Sequence, residues 1–264
     1  MADRQLDLFA GSGVSCASMP ALPLRPDPAD PTSLDDAGLL AAIPASNLPD
    51  GPRLAEEAGR RRLAAAIPVL QDYCRRFAGF GTERPLPEQL AALEALGAIG
   101  GRVAAAAVTT IIVRQWVQGP TLTTAVAVAA RLAALLPASS VLPLLRHPDP
   151  TVRADACQLA RDGAEVAATL LELMGDLHQD VCMAAACTLA RLRRSEARPL
   201  LIRALTLAPT VRVIDAIAPI ADDECIVLLG RLARAASPDL AGAARDALEA
   251  IDHPTAARLL ERLP

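Results

Sequence analysis

Apolar residues recur at helical spacing along most of the chain. From Arg53 onward, stretches of 10 to 17 residues with this spacing follow one another, each ended by a turn rich in Pro, Gly or Asp. The clearest stretch opens at Asp149-Pro150 and continues with Val152 and Ala156. Apolar residues three and four positions apart bury one side of a helix, so the pattern predicts a body of successive amphipathic helices.

The pattern repeats at a period near 30 residues. One apolar position recurs at spacings of 29, 30 and 29 residues, in Val152, Val181, Val211 and Leu240. The positions four residues later are mostly small, in Ala156, Ala185, Asp215 and Ala244, and those eight later are Ala160, Leu189, Pro219 and Leu248. Upstream members of the series are Leu122, Leu90 and Leu54. This period, with two helices per unit, predicts an α-solenoid whose stacked units share one continuous core.

The second helix of each unit has its own apolar run, in residues 67–70, 142–145, 168–171, 198–201 and 258–260. In the first, second and fourth of these runs a proline stands at the predicted first turn of the helix. Proline costs little there, because the N–H that it lacks would have no partner in the helix. The runs therefore support two helices in each repeat.

One turn carries a family resemblance. Residues 149–153 match the Asp-Pro-x-Val-Arg turn of HEAT-repeat proteins, and Pro209, Val211 and Arg212 match it in part. The chain thus resembles the short HEAT-like class over residues 53–264, which implies an all-α, right-handed α-solenoid of about seven helix pairs. Departures from the family pattern, where arginine or alanine is usual, occur at Cys182, Ala241 and Asp215. The resemblance is specific for the fold and not for a function.

The segments before residue 53 have a different composition. Residues 1–32 are rich in Pro, Gly, Ser and Asp and show no amphipathic period, so a disordered tail is predicted there. Residues 33–52 are interpreted as a short helix and a connector. Ser33 is the expected N-cap of this helix, which runs to about Ile43 and ends at Pro44.

A five-residue motif stands within that tail. Gln5, Leu6, Asp7, Leu8 and Phe9 resemble the peptide with which bacterial replication and repair proteins dock on the DNA sliding clamp, the beta subunit of the replicative polymerase, and all five positions match. The resemblance implies that Gln5 forms hydrogen bonds at the edge of a cleft on the clamp. Leu6 covers a shallow pocket, Leu8 and Phe9 fill a deep one, and Asp7 faces water. The alternative is that the tail folds back and buries these apolar side chains on the body.

Composition limits the other classes of function. The chain is 52% hydrophobic and only 2% aromatic, which favours closely packed helices built from alanine and leucine. All 26 basic residues are arginine and the net charge is −4, so no overall field attracts nucleic acid. The six cysteines form no Cys-x-x-Cys pair and are interpreted as buried free thiols. Residues 122–145 are almost entirely apolar but contain Arg131 and Pro137, so two buried helices are predicted there and no membrane span.

Few residues suggest chemistry. The three histidines, His147, His178 and His253, are placed at turns between helices, and none is followed by the Glu that iron-binding HEAT-repeat hydroxylases use. Trp116 is a single aromatic residue in an apolar helix, which is weak support for stacking on a base. No phosphate-binding loop or nucleophile elbow is present. The sequence therefore predicts no catalytic residue, no cofactor and no metal.

Clustered arginines are the candidate contacts for a partner or for DNA. They are Arg60, Arg61, Arg62, Arg75, Arg76, Arg193 and Arg194. Arginines around a helix end can meet a phosphate backbone, but acidic neighbours and the net charge favour a solvated face instead.

These observations lead to one hypothesis and two alternatives. The hypothesis is a cytoplasmic bacterial adaptor, not an enzyme, that docks on the sliding clamp and presents a solenoid surface to a second, unidentified protein at replication or repair sites. One alternative is a HEAT-like enzyme, either a prosthetic-group lyase or a DNA-base glycosylase, which would need a deep pocket with convergent polar groups. The other is an interaction scaffold with no role in replication.

Overall fold

The computed structural model describes residues 30–235 and 237–263. Over these residues the chain forms fifteen α-helices and no strand, which confirms the predicted all-α fold. The helices are α1 (Asp36–Ala45), α2 (Gly51–Arg60), α3 (Ile67–Arg76), α4 (Pro87–Ile99), α5 (Gly101–Val113), α6 (Gly119–Arg131), α7 (Ala138–Leu145), α8 (Pro150–Leu159), α9 (Ala164–Leu173), α10 (Gln179–Arg191), α11 (Arg198–Leu207), α12 (Val211–Ile217), α13 (Asp223–Ala235), α14 (Pro238–Ala250) and α15 (Pro254–Leu260). Single 3-10 turns lie at Pro31–Ser33, Ala64–Ala66, Ser195–Ala197 and Ala218–Ile220.

The helices stack in two layers. The even-numbered helices from α2 to α14 form the first layer, and each packs against the next even-numbered helix. The odd-numbered helices form the second layer, and the two layers are joined through neighbouring pairs such as α3–α4 and α9–α10. The helices from α2 to α15 make seven successive pairs. Because helices pack mainly on others close to them in the sequence, the arrangement is solenoid-like.

Small residues let the first-layer helices approach closely. Fully buried alanines occupy the contacts between them, at Ala55, Ala58, Ala92, Ala125, Ala129, Ala156, Ala185 and Ala244. One close approach joins α2 to α4, where a Cβ added to Gly59 would lie 2.7 Å from the Cα of Ala95. Leucine fills the space between the layers, with Leu70, Leu93, Leu145, Leu170 and Leu201 at 0% exposure. The aliphatic composition is therefore a requirement of the packing.

One unit departs from the predicted register. Val211 was aligned with Val152 and Val181, but it is 42% exposed, whereas Val213 and Ile217 are buried. The cause is the helix start, since the Thr210 hydroxyl accepts a hydrogen bond from the N–H of Val213 and fixes Thr210 as the N-cap. Counted from each N-cap, the equivalent positions are Val152, Val181, Val213 and Leu240. The three valines are buried and Leu240 is partly buried. The prediction for α12 was thus wrong by two residues.

The segment before α2 also differs from the prediction. The N-cap of α1 is Asp35 instead of Ser33, because its carboxylate accepts from the N–H of Gly38 at 2.7 Å. The helix continues through Pro44 to Ala45. It packs against α2 and α3 and buries Leu39 completely. The predicted short helix is therefore present with shifted ends, and it lies in the second layer of the stack.

The apolar stretch 122–145 divides as predicted. It forms most of α6 and all of α7, which are separated by a turn that contains Pro137. Pro143 lies inside α7 and not in its first turn, so that detail of the prediction was wrong. Among the described residues, no helix is both long enough and apolar enough to cross a membrane.

The HEAT-like turn joins two successive units. Arg153 donates to both carboxylate oxygens of Asp176 at 2.9 and 3.0 Å, and to the backbone carbonyls of His147 and Pro148. Both charged side chains are largely buried, with 14% and 10% exposure. In the next unit Cys182 stands at the equivalent position, and its thiol donates to the Asp176 carbonyl at 3.0 Å. These contacts tie the turn before α8 to the turn before α10.

Four helices end in a left-handed residue that is not glycine. The residues with positive φ are Arg62, Gln115, Ala133 and Arg193. In each case the following N–H bonds back to a carbonyl five residues earlier, as from Ala134 to Ala129 at 3.0 Å. This is the Schellman pattern, in which glycine is preferred because a Cβ is strained at positive φ.

Ala133→Gly is therefore expected to stabilise the protein by about 0.5–1 kcal/mol, because it removes that strain. Urea unfolding followed by circular dichroism at 222 nm measures the change. The matched control is Ala127→Gly, an exposed position in the middle of α6, where glycine should cost about 1 kcal/mol. Equal destabilisation by both variants would contradict the prediction.

Candidate functional site

A groove runs along the exposed side of the first layer between α8, α10 and α12. It consists of two adjoining cavities of about 540 and 500 Å³ that share Gln158, Cys187 and Arg212. Its floor is a stripe of α10, made of Asp180, Met183, Cys187 and Arg191. These residues are three and four positions apart and so share one helix face, which extends for roughly 17 Å at a rise of about 1.5 Å per residue.

The two walls of the groove come from neighbouring helices. The α8 wall contains Pro150, Thr151, Ala154, Asp155 and Gln158. The α12 wall and the turn after it contain Val211, Arg212, Asp215, Ala216 and Pro219. Three of these last residues are Val211, Asp215 and Pro219. They occupy the three recurring positions at which the repeat pattern predicts buried residues. The shifted register of α12 thus presents to the groove the residues that break the repeat.

The acidic side chain in the α8 wall is unusual. Asp155 is partly buried, and no hydrogen bond or ion pair joins its carboxylate to another residue within 30–235 and 237–263. Burial raises the pKa of Asp155, and the nearby positive charge of Arg212 opposes that rise. A partly desolvated carboxylate without a partner is a group that a donor on a ligand could satisfy.

Two arginines carry positive charge into the groove. Arg191 donates to the backbone carbonyls of Gln158 and Ala160 at 3.1 and 2.9 Å, which caps the end of α8. Burial lowers the pKa of Arg191. Arg212 lies beside the Cys187 thiol, and neither arginine forms an ion pair with any described carboxylate. Arg212 was expected to act in a turn like that of Arg153, but the shift in register directs it to the groove instead.

The thiols serve the packing of the fold. As predicted, Cys74, Cys157, Cys187 and Cys225 are buried and free, whereas Cys182 is only partly buried and Cys16 lies outside the described residues. Burial raises the pKa of both Cys74 and Cys157 to about 12, and that of Cys225 to about 11. A thiol is nucleophilic only as a thiolate, so these side chains are inert at neutral pH.

The histidines lie at turns, as predicted. The Nδ1 atoms of His147 and His253 accept hydrogen bonds from the N–H groups two residues later, at 3.1 and 3.2 Å. His178 is exposed and contacts Asp176. Trp116 is partly buried, and its carbonyl accepts from the side chain of Gln89. These contacts are structural.

Two arginines of the first cluster form contacts within the fold. Arg60 and Arg61 both bind Glu57, with N–O distances of 2.7 and 2.6 Å, and these hydrogen bonds lower the pKa of Glu57 to about 2. The Arg61 guanidinium also reaches Asp36 and three backbone carbonyls, those of Pro31, Thr32 and Leu34. Arg61 is therefore engaged within the fold, and its role as a contact for a partner or DNA stays a prediction. It holds the segment 31–36 against α2.

The other candidate arginines do not join it in one patch. Arg75 pairs with Asp72 at 3.0 Å, and Arg76 donates to the Pro44 carbonyl at 3.2 Å. Arg194 reaches Asp162 at 3.3 Å. Arg62 and Arg193 are the left-handed residues after α2 and α10. Since those helices are four steps apart in the first layer, the two clusters are separated by roughly 35–40 Å at about 9–10 Å per step.

The motif predicted to bind the sliding clamp lies outside the described residues, at Gln5, Leu6, Asp7, Leu8 and Phe9. The groove residues Asp155 and Arg212 were not singled out from the sequence as a site. The signal available was the break in the repeat at Val211 and Asp215, which places a polar and an exposed residue where the template expects a buried face.

No protein-family model matches this chain, and no curated protein sequence matches it.

Proposed function

We propose that the protein is a non-enzymatic adaptor that docks on the bacterial DNA sliding clamp through Gln5–Phe9 and holds a second protein on its helical stack. The observation that carries the proposal is the full five-position match of this motif. It belongs to a chain whose described body is a solenoid-like stack, an architecture that offers extended surfaces for binding proteins. In this proposal the protein works in the bacterial cytoplasm at sites of replication or repair.

The described side chains support binding over catalysis. The histidines lie at turns, the buried thiols have raised pKa values, and much of the arginine charge is held by acidic groups or carbonyls. The first layer leaves a long groove instead, lined by both apolar and charged side chains. DNA is not part of the proposal, because the net charge is −4 and the two arginine clusters are far apart along the stack.

The strength of the clamp contact follows from its size. Burying Leu6, Leu8 and Phe9 gains roughly 5–8 kcal/mol before costs. Ordering five residues costs about 1–2 kcal/mol each, so hydrogen bonds from Gln5 and aromatic packing must supply the surplus. We therefore expect a dissociation constant of roughly micromolar magnitude.

A titration of purified sliding clamp with the intact protein tests the proposal. The double variant Leu8→Ala, Phe9→Ala should bind at least about 30-fold more weakly, because it empties the deep pocket. The matched control is Leu22→Ala, Leu24→Ala, which removes two apolar side chains outside the motif and should bind like the original protein. If the motif variant keeps the original affinity, the protein does not dock through Gln5–Phe9.

A further inference from the structure

A pocket lies beside the point at which the described chain begins. It has a volume of about 270 Å³ and lies between the 3-10 turn Pro31–Ser33, α1 and α2. Its walls are aliphatic, formed by Pro31, Leu34, Ala42, Ala45 and Leu54. The volume is below the roughly 300–1,000 Å³ of small-molecule sites, so the pocket suits a pair of apolar side chains better than a whole ligand.

The polar side of this pocket does not select an occupant by charge. It is formed by Ser46, Asn47, Asp50 and Arg53, so one acidic and one basic residue offset each other. The Asn47 carbonyl oxygen accepts a hydrogen bond from the N–H of Asp50 at 3.2 Å. Selection therefore depends on the apolar walls and on which segment can reach them.

The start of the same chain is close to this pocket, because Pro31 is one of its walls. Residues 10–29 join the motif at Gln5–Phe9 to Asp30. With the dimensions of a coil, a segment of this length spans roughly 25 Å, so it can turn back to the pocket. The groove at α8 is three steps from α2 in the first layer, or roughly 27–30 Å at about 9–10 Å per step, and is less favourably placed.

Two apolar groups among residues 1–29 compete for the pocket, the motif at Gln5–Phe9 and the pair Leu22 and Leu24. Only residues 25–30 separate Leu24 from Pro31, and two of them are prolines. Proline and the residue before it favour extended backbone, which leads this pair away from the pocket. The motif has the longer tether and also supplies Phe9, the one aromatic residue among residues 1–29.

From this geometry we infer that the motif at Gln5–Phe9 has a second binding place, the pocket between α1 and α2 of its own chain, where Leu8 and Phe9 pack on Leu34 and Leu54. The inference rests on the proposed clamp docking and adds its regulation, because a motif in the pocket is not available to the clamp. The pocket covers the apolar side chains of the motif while the protein is free, and the clamp displaces it by competition.

The strength of this competition follows from the tether. Burying two apolar side chains gains about 3–6 kcal/mol before costs, so the motif as a separate peptide is expected to bind the pocket with a dissociation constant on the order of 0.1–1 mM. The tether holds the motif at an effective concentration of about 1 mM. The ratio of these two values predicts that docking in the pocket weakens the apparent clamp affinity about two- to tenfold.

NMR of the full chain, labelled with carbon-13 at the alanine methyl groups, tests whether the motif occupies the pocket. The methyl signals of Ala42 and Ala45 should differ between the original protein and the Leu8→Ala, Phe9→Ala variant. The signal of Ala168, exposed on α9, should be the same in both. Identical Ala42 and Ala45 signals in the two proteins would overturn the inference.

Two controls identify the occupant. The Leu22→Ala, Leu24→Ala variant should give the signals of the original protein, and loss of the pocket signal in this variant alone would overturn the inference. Dilution by about tenfold should leave the signals unchanged, because a tethered motif keeps the same effective concentration. A difference that disappears on dilution would show that the motif comes from a second copy, which also overturns it.

A titration of purified clamp tests the regulation. Ala45→Trp fills the pocket from the last residue of α1 and should tighten clamp binding about two- to tenfold. Ala42→Leu, a smaller change in the same wall, should act in the same direction, whereas Ala168→Trp should have no effect. Circular dichroism and thermal unfolding establish that each variant is folded. Clamp binding that neither pocket variant tightens would overturn the inference.

Failure here is distinguishable from failure of the clamp proposal. The methyl comparison contains no clamp, so it fails only if the motif does not reach the pocket. The clamp titration of the Leu8→Ala, Phe9→Ala variant fails only if the motif does not bind the clamp. Each experiment therefore identifies which of the two contacts is wrong.

Discussion

Arg153→Ala is expected to lower the free energy of unfolding by about 2–4 kcal/mol, because it leaves the largely buried Asp176 carboxylate without its main partner. The same change removes two donors from the carbonyls of His147 and Pro148. Arg153→Lys should recover only part of the loss, since an ammonium group cannot form the two parallel bonds of a guanidinium. Urea unfolding monitored at 222 nm measures both values.

Arg75→Ala is the matched control for Arg153→Ala. Arg75 pairs with Asp72 at a similar distance, 3.0 Å, but these side chains are 60% and 65% exposed. A solvated pair of this kind contributes little, so the change should stay within about 0.5 kcal/mol. Equal effects of Arg75→Ala and Arg153→Ala would show that the link between the two turns does not stabilise the stack.

The effect of Arg153→Ala should also depend on pH. Hydrogen bonds from Arg153 lower the pKa of Asp176 from 3.8 to about 2. A carboxyl group with a lowered pKa in the folded state contributes stability above its unfolded pKa, and loses it as the pH falls through the folded value. The difference between the original protein and Arg153→Ala should therefore be constant above about pH 5 and should shrink between about pH 4 and pH 2.

Gly59→Ala is expected to destabilise the protein by about 2–3 kcal/mol. The added Cβ would lie 2.7 Å from the Cα and 2.9 Å from the Cβ of Ala95. Backbone atoms cannot rotate away, so α2 and α4 must separate and lose packing along their whole contact. The higher helix propensity of alanine offsets at most about 1 kcal/mol of this loss of packing energy. The midpoint of urea unfolding should fall accordingly.

The same substitution at Gly242 should have the opposite sign. Gly242 lies within α14, and a Cβ added there meets no atom within 4 Å. Only the higher helix propensity of alanine then matters, so Gly242→Ala should stabilise the protein by about 0.5–1 kcal/mol. If Gly59→Ala is also neutral or stabilising, the close approach of α2 and α4 is not a feature of the protein in solution.

Most of the fold could be predicted from periodicity alone. The buried column through Val152 and Val181 and the division of residues 122–145 into two helices depend on local hydrophobic spacing and turn residues. The register of α12 could not be predicted in this way. Val211 and Val213 are both valine, and the choice between them was made by the Thr210 cap, a hydrogen bond that spacing does not show.

The candidate site was harder to predict from the sequence than the fold, for the same reason. Arg212 follows a valine as Arg153 does, so the two look equivalent in the sequence, yet only Arg153 joins two turns. Arg61 looked like a free cationic residue, and its role is decided by carbonyls about thirty residues away in the chain. Contacts between backbone carbonyls and distant side chains leave no periodic trace in a sequence.

The hydrogen bonds of Arg61 determine where a force on the start of the described chain would act. This side chain binds three carbonyls of residues 31–34 and the Asp36 carboxylate, while its other nitrogen is held by Glu57. A pulling force applied to the chain at Asp30 would therefore reach α2 through several hydrogen bonds at once. Helix α2 in turn packs closely on α4 at Gly59, so the force would pass on to α4. A force on this end of the chain would therefore act on the contact between α2 and α4.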